Sequence, residues 1–148
     1  AQCRIQFRHN DVDALRDAIS SILDSQPMIA NGSRSVLIPV ESVYSMDGDI
    51  AAAGDVEVAK EMCPLGNAVF IADEVHATGI LGPKGAGLVS QLSVEKDISM
   101  RLHTCGVPIT LGARDLTRVP CAYCRRPFLI SLIRILFSNT SSAGKLYV

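Results

Sequence analysis

Asp73 and His76 have the types and spacing to do chemistry in this sequence. They sit in the stretch Ala72-Asp73-Glu74-Val75-His76-Ala77-Thr78-Gly79, directly after the apolar run Ala68-Val69-Phe70-Ile71. A carboxylate followed by an imidazole where a buried strand runs out into a turn is a usual ligand address in an open α/β sheet. Ligands collect there because the crevice lies beyond the carboxyl ends of the parallel strands. Taken alone, the pair also fits a plainer role, with Asp73 capping the turn and His76 a partly exposed surface histidine.

A second constellation lies further on. Cys121-Ala122-Tyr123-Cys124 is a C-x-x-C, and His103 and Cys105 stand upstream at a separation that zinc ribbons use. Four such ligands could close a tetrahedral structural zinc site, although the first half is H-x-C and not C-x-x-C. Free thiols are the simpler account of the same residues.

The elements that must position these residues follow from periodicity. Arg4 to Phe7 alternates polar and apolar as a short strand does, and His9-Asn10-Asp11 supplies helix-capping side chains. Val12, Leu15, Ala18, Ile19, Ile22 and Leu23 recur at three- and four-residue steps, which predicts a helix from Asp11 that ends before Pro27. Ser35 to Ser42 reads as a strand buried on both faces, with Pro39 an anomaly because proline donates nothing to a central ladder. Ser45 to Asp49 is a turn, Asp55 to Met62 a second helix, and the next strand ends in Asp73. Gly79, Gly82, Gly85 and Gly87 shape a loop before a strand over Ile98 to His103. Two strand-helix-strand units in succession predict an α/β sheet with right-handed crossovers. Beyond Gly106 no period is sustained, Phe128 to Phe137 fits either a strand or a helix, and Ser138 to Val148 reads as a polar tail.

Composition sets the outer bounds. A chain of 148 residues, 48% hydrophobic and 20% charged with net charge −1, is one domain without the electrostatic footprint of a nucleic-acid or membrane-surface protein. The apolar stretch from Pro127 to Phe137 is about half of the roughly 20 residues that span a bilayer. No basic-then-apolar leader is visible, and five cysteines at irregular spacing argue for a reducing compartment, so a cytoplasmic protein is expected.

Three stretches gain meaning when read together: Glu41-Ser42-Val43-Tyr44-Ser45-Met46-Asp47-Gly48-Asp49, Asp73 to Gly79, and His103-Thr104-Cys105-Gly106. In that order and at those spacings they resemble the α-oxoamine synthases, and most nearly the 8-amino-7-oxononanoate synthase-like proteins of the class I/II aminotransferase fold. The resemblance covers residues 1 to 106. It implies part of the large domain of a fold type I pyridoxal-phosphate (PLP) transferase, a mostly parallel sheet flanked by helices, with 107–148 a divergent or poorly ordered segment. It also implies PLP as cofactor, an amino acid and an acyl-CoA as substrates of a decarboxylating condensation, and a homodimer.

Site roles follow from the same resemblance. Asp73 pairs with the pyridine nitrogen, His76 hydrogen-bonds the phenolic oxygen, Ser45 stands on the same edge, and Thr104 helps to hold the phosphate. In the family, the motif runs from His-Thr-x-Gly into the lysine that carries the cofactor as a Schiff base. That position here is Val107, and the four lysines, Lys60, Lys84, Lys96 and Lys145, all lie elsewhere in the chain. The resemblance therefore implies a chain that binds PLP without turning it over, or the non-catalytic partner subunit of a PLP enzyme.

Overall fold

Asp11 begins the first helix as its sequence requires: its carboxylate accepts from the Ala14 N–H at 2.8 Å, and Gln26 ends the helix ahead of Pro27. The computed structural model describes residues 4–103 and 143–147. Its elements, in chain order, are β1 (Arg4–Arg8), α1 (Val12–Ser25), α2 (Pro27–Ala30), β2 (Val36–Glu41), β3 (Val43–Tyr44), β4 (Asp49–Ile50), α3 (Asp55–Met62), β5 (Ala68–Asp73), α4 (Leu88–Leu92), β6 (Ile98–Leu102) and β7 (Ala143–Tyr147). A short 3-10 turn over Pro83–Gly85 precedes α4.

Five strands form one sheet in the order β1-β7-β2-β5-β6. β2, β5 and β6 are parallel, and β7 runs antiparallel to both of its neighbours, so β1 shares the direction of β2. The sheet is therefore mostly parallel with one reversed strand, and the fold is the α/β class that the two crossover units predict.

The reversed strand corrects one expectation. Residues 143–147, read from sequence as part of a polar tail, are the strand between β1 and β2, paired with β1 from Arg4↔Tyr147 to Arg8↔Ala143. Strand alternation sends Leu146 into the larger core and Tyr147 to the opposite face. Gly144 fits there because a Cβ would run into the Phe7 ring on β1.

That larger core lies between the sheet and the helices α1 and α3. Leu15, Ile19 and Ile22 from α1 meet Val36 and Ile38 of β2, Val58 and Ala59 of α3, Phe70 of β5 and Leu146. Full burial of each large aliphatic side chain contributes roughly 1.5–3 kcal/mol. On the other face Ile71, Leu102 and Tyr147 gather with Leu37 and Met100. Among the described residues no helix is long and apolar enough to cross a membrane.

Pro39 is accommodated by the phase of the ladder. The Val36 N–H donates to the Asn67 carbonyl and the Ser42 N–H to that of Asp73, so the even-numbered residues of β2 face β5. Pro39 faces the other side, where β7 pairs with β2 only at Leu37↔Tyr147. The missing donor costs the sheet no β2–β5 bond.

Candidate functional site

The register Glu41↔Asp73↔Leu102 brings β2, β5 and β6 level at their carboxyl ends. The backbone stitches this edge together: the Ser42 N–H reaches the Asp73 carbonyl at 2.8 Å and the Glu74 N–H reaches that of Leu102 at 2.9 Å. Asp73 is half-buried here, and its Oδ1 accepts from the Val75 N–H at 3.0 Å. Burial pushes its carboxyl above the usual carboxylate range, against the opposing pull of that N–H and of His76 and His103. Among the described residues its Oδ2 accepts no hydrogen bond. The carboxylate thus has one oxygen committed to the fold and one open to a cationic or N–H partner.

His76 is exposed in the turn beyond β5. That turn is wound tightly, with the N–H groups of Ala77 and Thr78 both directed to the Glu74 carbonyl, at 3.1 and 2.8 Å. His103 follows β6 and holds Thr78: Nδ1 lies 2.8 Å from the Thr78 hydroxyl, which also contacts the Glu74 carbonyl at 2.6 Å. A hydroxyl has one proton, and giving it to the carbonyl makes His103 Nδ1 the donor.

Ser45 is exposed on the β3–β4 hairpin, which leaves β2 at the same edge of the sheet. The hairpin closes with the N–H groups of Asp47 and Gly48 on the Tyr44 carbonyl, at 3.2 and 2.7 Å, and Gly48 takes φ +74°. Its position is set from β1. His9 Nε2 lies 2.9 Å from Asp49 Oδ2, and its ring stands edge-on to Tyr44 at a centroid distance of 4.4 Å. Asn10 donates to Asp49 at 2.9 Å and to the Ile50 carbonyl at 2.7 Å, and accepts from the Ala52 N–H at 2.8 Å. Of the three residues read as helix caps, Asp11 caps the helix and His9 and Asn10 anchor this hairpin.

Sequence reasoning assigned no role to Glu74. Its side chain is fully buried. Oε1 accepts from the Ser42 hydroxyl at 3.1 Å and the Val89 N–H at 2.8 Å, and Oε2 receives the Arg101 guanidinium. Arg101 in turn donates to the Ala86 carbonyl at 2.7 Å. The partners come from the residue after β2, from α4 and from β6, so no local spacing in the sequence foretells the arrangement.

Thr104, Cys105, Val107, Cys121 and Cys124 lie outside the described residues, and with them the phosphate, lysine-position and zinc expectations. Among the described residues no group of three or more His, Cys, Asp or Glu could hold a metal ion.

The family model for aminotransferase class I and II matches residues 2–106. The chain belongs to that family. Similar curated relatives include the aminoacyl transferase sphA of Aspergillus fumigatus, 56% identical over 107 residues, which are 72% of this chain and 23% of that protein. The 8-amino-7-oxononanoate synthase of Emericella nidulans is 39% identical over 139 residues, 93% of this chain and 33% of that protein. Among solved structures, SPT with a PLP internal aldimine matches at TM-score 0.53 and 26% identity over 95% of this chain and 25% of that one. The chain thus spans a quarter to a third of the proteins it matches, and within this aminotransferase family its resemblance is to the α-oxoamine synthase group.

Proposed function

We propose that this chain is the part of an α-oxoamine synthase that grips the ring of PLP, and that Asp73 is the residue facing the pyridine nitrogen. The observation that carries the reading is the Asp73 carboxylate itself: half-buried at the end of β5, raised in pKa by its burial, and with one oxygen uncommitted among the described residues. A buried anion of this kind is relieved by a protonated ring nitrogen, so the residues present fit the group.

When bound, PLP supplies an electron sink for a substrate amino acid. The chain's own residues supply the surroundings. Asp73 holds a proton at the ring nitrogen, His76 donates to the phenolic oxygen from the adjoining turn, and Ser45 approaches the same edge from the β3–β4 hairpin. Thr104 holds phosphate. The reaction class is the decarboxylating condensation of an amino acid with an acyl-CoA, supported by the three ordered motifs and by relatives named as an aminoacyl transferase and an 8-amino-7-oxononanoate synthase; a homodimer is proposed from the family resemblance alone. The irregular set of five cysteines supports a reducing, cytoplasmic setting.

Val107 stands where the family carries its lysine, and a valine has no amine to condense with the cofactor or to move a proton. The chain therefore binds PLP reversibly and does not turn over. A lysine-to-alanine variant of serine palmitoyltransferase from S. paucimobilis holds a PLP-myriocin aldimine, which supports ligand retention by a chain with valine at the Val107 position.

Titration of the purified chain with PLP, followed by borohydride and peptide mapping, tests both parts. The expected result is saturable binding with no lysine adduct, weakened about tenfold or more by Asp73→Asn. A stoichiometric adduct on Lys60, Lys84, Lys96 or Lys145 overturns the inactivity, and no saturable binding overturns the PLP reading.

A further inference from the structure

We propose that Glu74 is the positioning residue of the Asp73 site: its buried carboxylate locks the ends of β2, β5 and β6 and the start of α4 in one arrangement, and so aims Asp73 into the crevice. The proposal rests on the reading of Asp73 as the partner of the ring nitrogen.

A buried carboxylate is expensive unless charge and hydrogen bonds are both satisfied, and an apolar side chain of similar volume would fill the same space without that demand. What an apolar residue cannot do is fix the directions of four separate segments. Glu74 does so with both oxygens. Ser42, the first residue beyond β2, donates its hydroxyl to Oε1 at 3.1 Å, and Val89 in the first turn of α4 donates its N–H to the same oxygen at 2.8 Å. Arg101 of β6 places its guanidinium on Oε2 through Nε and Nη2.

Glu74 is pinned along its backbone as well. Its N–H is held by Leu102, and its carbonyl receives the Thr78 N–H and hydroxyl, which connects it to His103. His103 Nε2 stands 3.9 Å from Oε2. The loop before α4 approaches so closely that a Cβ on Gly87 would collide with the carboxylate.

Position in the chain links this cluster to the cofactor site. Neighbouring residues at the end of an extended strand send their side chains to opposite sides. Asp73 is the last residue of β5 and half-buried, and Glu74, the next residue, is fully buried. Gripping Glu74 therefore sets the direction of the Asp73 carboxylate, and Ser42 carries the same constraint toward the hairpin that bears Ser45.

The test uses the full chain, PLP as the probe, and amide hydrogen exchange as a readout that needs no cofactor. Glu74→Gln is expected to weaken PLP binding per folded molecule about tenfold or more, because small misplacements of a site group are costly, and to speed exchange across residues 42–50 and 74–78. Ser42→Ala, which removes a single tether and spares the fold, is expected to move both readouts in the same direction by several-fold. Glu74→Gln with Arg101→Gln recovers part of the loss, since the cation is no longer buried without its partner. Ile19→Val, a core change remote from the site, lowers the melting temperature and leaves both readouts unchanged.

If Glu74→Gln and Ser42→Ala only lower the melting temperature, with PLP affinity and exchange over those residues unaltered, the proposal is overturned. If Glu74→Gln does not fold, Ser42→Ala decides. If the unaltered chain does not bind PLP, the ring-nitrogen reading fails while the exchange comparison still decides whether Glu74 orders the strand ends.

Discussion

His9 at the end of β1 lies with Nε2 2.9 Å from Oδ2 of Asp49, forty residues along the chain, and this contact joins the start of the fold to the hairpin that carries Ser45. Asn10 reinforces it with three further hydrogen bonds, two of them to backbone groups of Ile50 and Ala52. Asn10 also takes φ +52°, a left-handed conformation that asparagine tolerates better than alanine does.

Two substitutions separate those contributions. Asn10→Gly keeps the backbone relaxed and deletes the side-chain bonds, so it is expected to cost about 1–3 kcal/mol. Asn10→Ala deletes the same bonds and adds left-handed strain, so it should cost roughly 1 kcal/mol more. Urea denaturation of both variants measures the difference. Equal losses would show that the left-handed backbone carries no penalty here.

Leu146 tests the strand that the sequence concealed. It is fully buried in the larger core, between β1 and β2. Leu146→Ala is expected to cost about 2–5 kcal/mol, the range for truncating a core leucine. A change at a frayed terminus would cost almost nothing, so thermal or denaturant unfolding distinguishes the two situations directly.

What was legible in the sequence, and what was not, divides by range. Apolar spacing located α1 and α3 because a helix repeats over a dozen residues of one face, and the run ending in Asp73 located β5 because its burial is continuous. β7 escaped because Ala143–Tyr147 is short and follows a serine-rich stretch, and its partner Arg4–Arg8 lies at the other end of the chain. The Glu74 cluster escaped for a related reason. Its Arg101 comes from β6, whose register against β5 shifts between Phe70 and Ile71, and periodicity within either strand says nothing of that alignment. Asp73 and His76 stood out as candidates because they stand together at one strand end, and the proposal that they serve a cofactor rests on the second and third motifs.

Asp55 makes stability depend on pH. It is buried at the start of α3, its Oδ1 has no hydrogen-bond partner among the described residues, and burial, with help from Glu57, lifts its pKa from 3.8 to about 6. A carboxyl whose folded-state pKa is raised favours the protonated folded form. Its stabilising contribution is complete below the unfolded value and is lost as pH rises through the folded one, a window from about 4 to about 6. Asp55→Asn, which stays neutral, is expected to be more stable than the parent at pH 7 by about 1–3 kcal/mol and to flatten the profile across that window. Denaturant unfolding at pH 4, 5, 6 and 7 checks it, and parallel profiles for the two proteins would contradict it.

Gly87 and Gly66 provide the last comparison, because both take positive φ and only one is crowded. Gly66, at φ +72°, has open space where a Cβ would stand, so Gly66→Ala carries only left-handed strain, about 1–2 kcal/mol. Gly87, at φ +98°, would drive its new Cβ into the Glu74 carboxylate. That carboxylate cannot retreat, because Ser42, Val89 and Arg101 hold it on separate elements. Gly87→Ala should therefore exceed Gly66→Ala by about 1–3 kcal/mol, the usual cost of overpacking a buried site. The excess should also fall when Glu74→Gln has already loosened the cluster, which a double-mutant cycle by urea unfolding would register as a coupling of about 0.5–3 kcal/mol between residues in contact. Additive losses would show that the loop before α4 and the Glu74 carboxylate adjust independently.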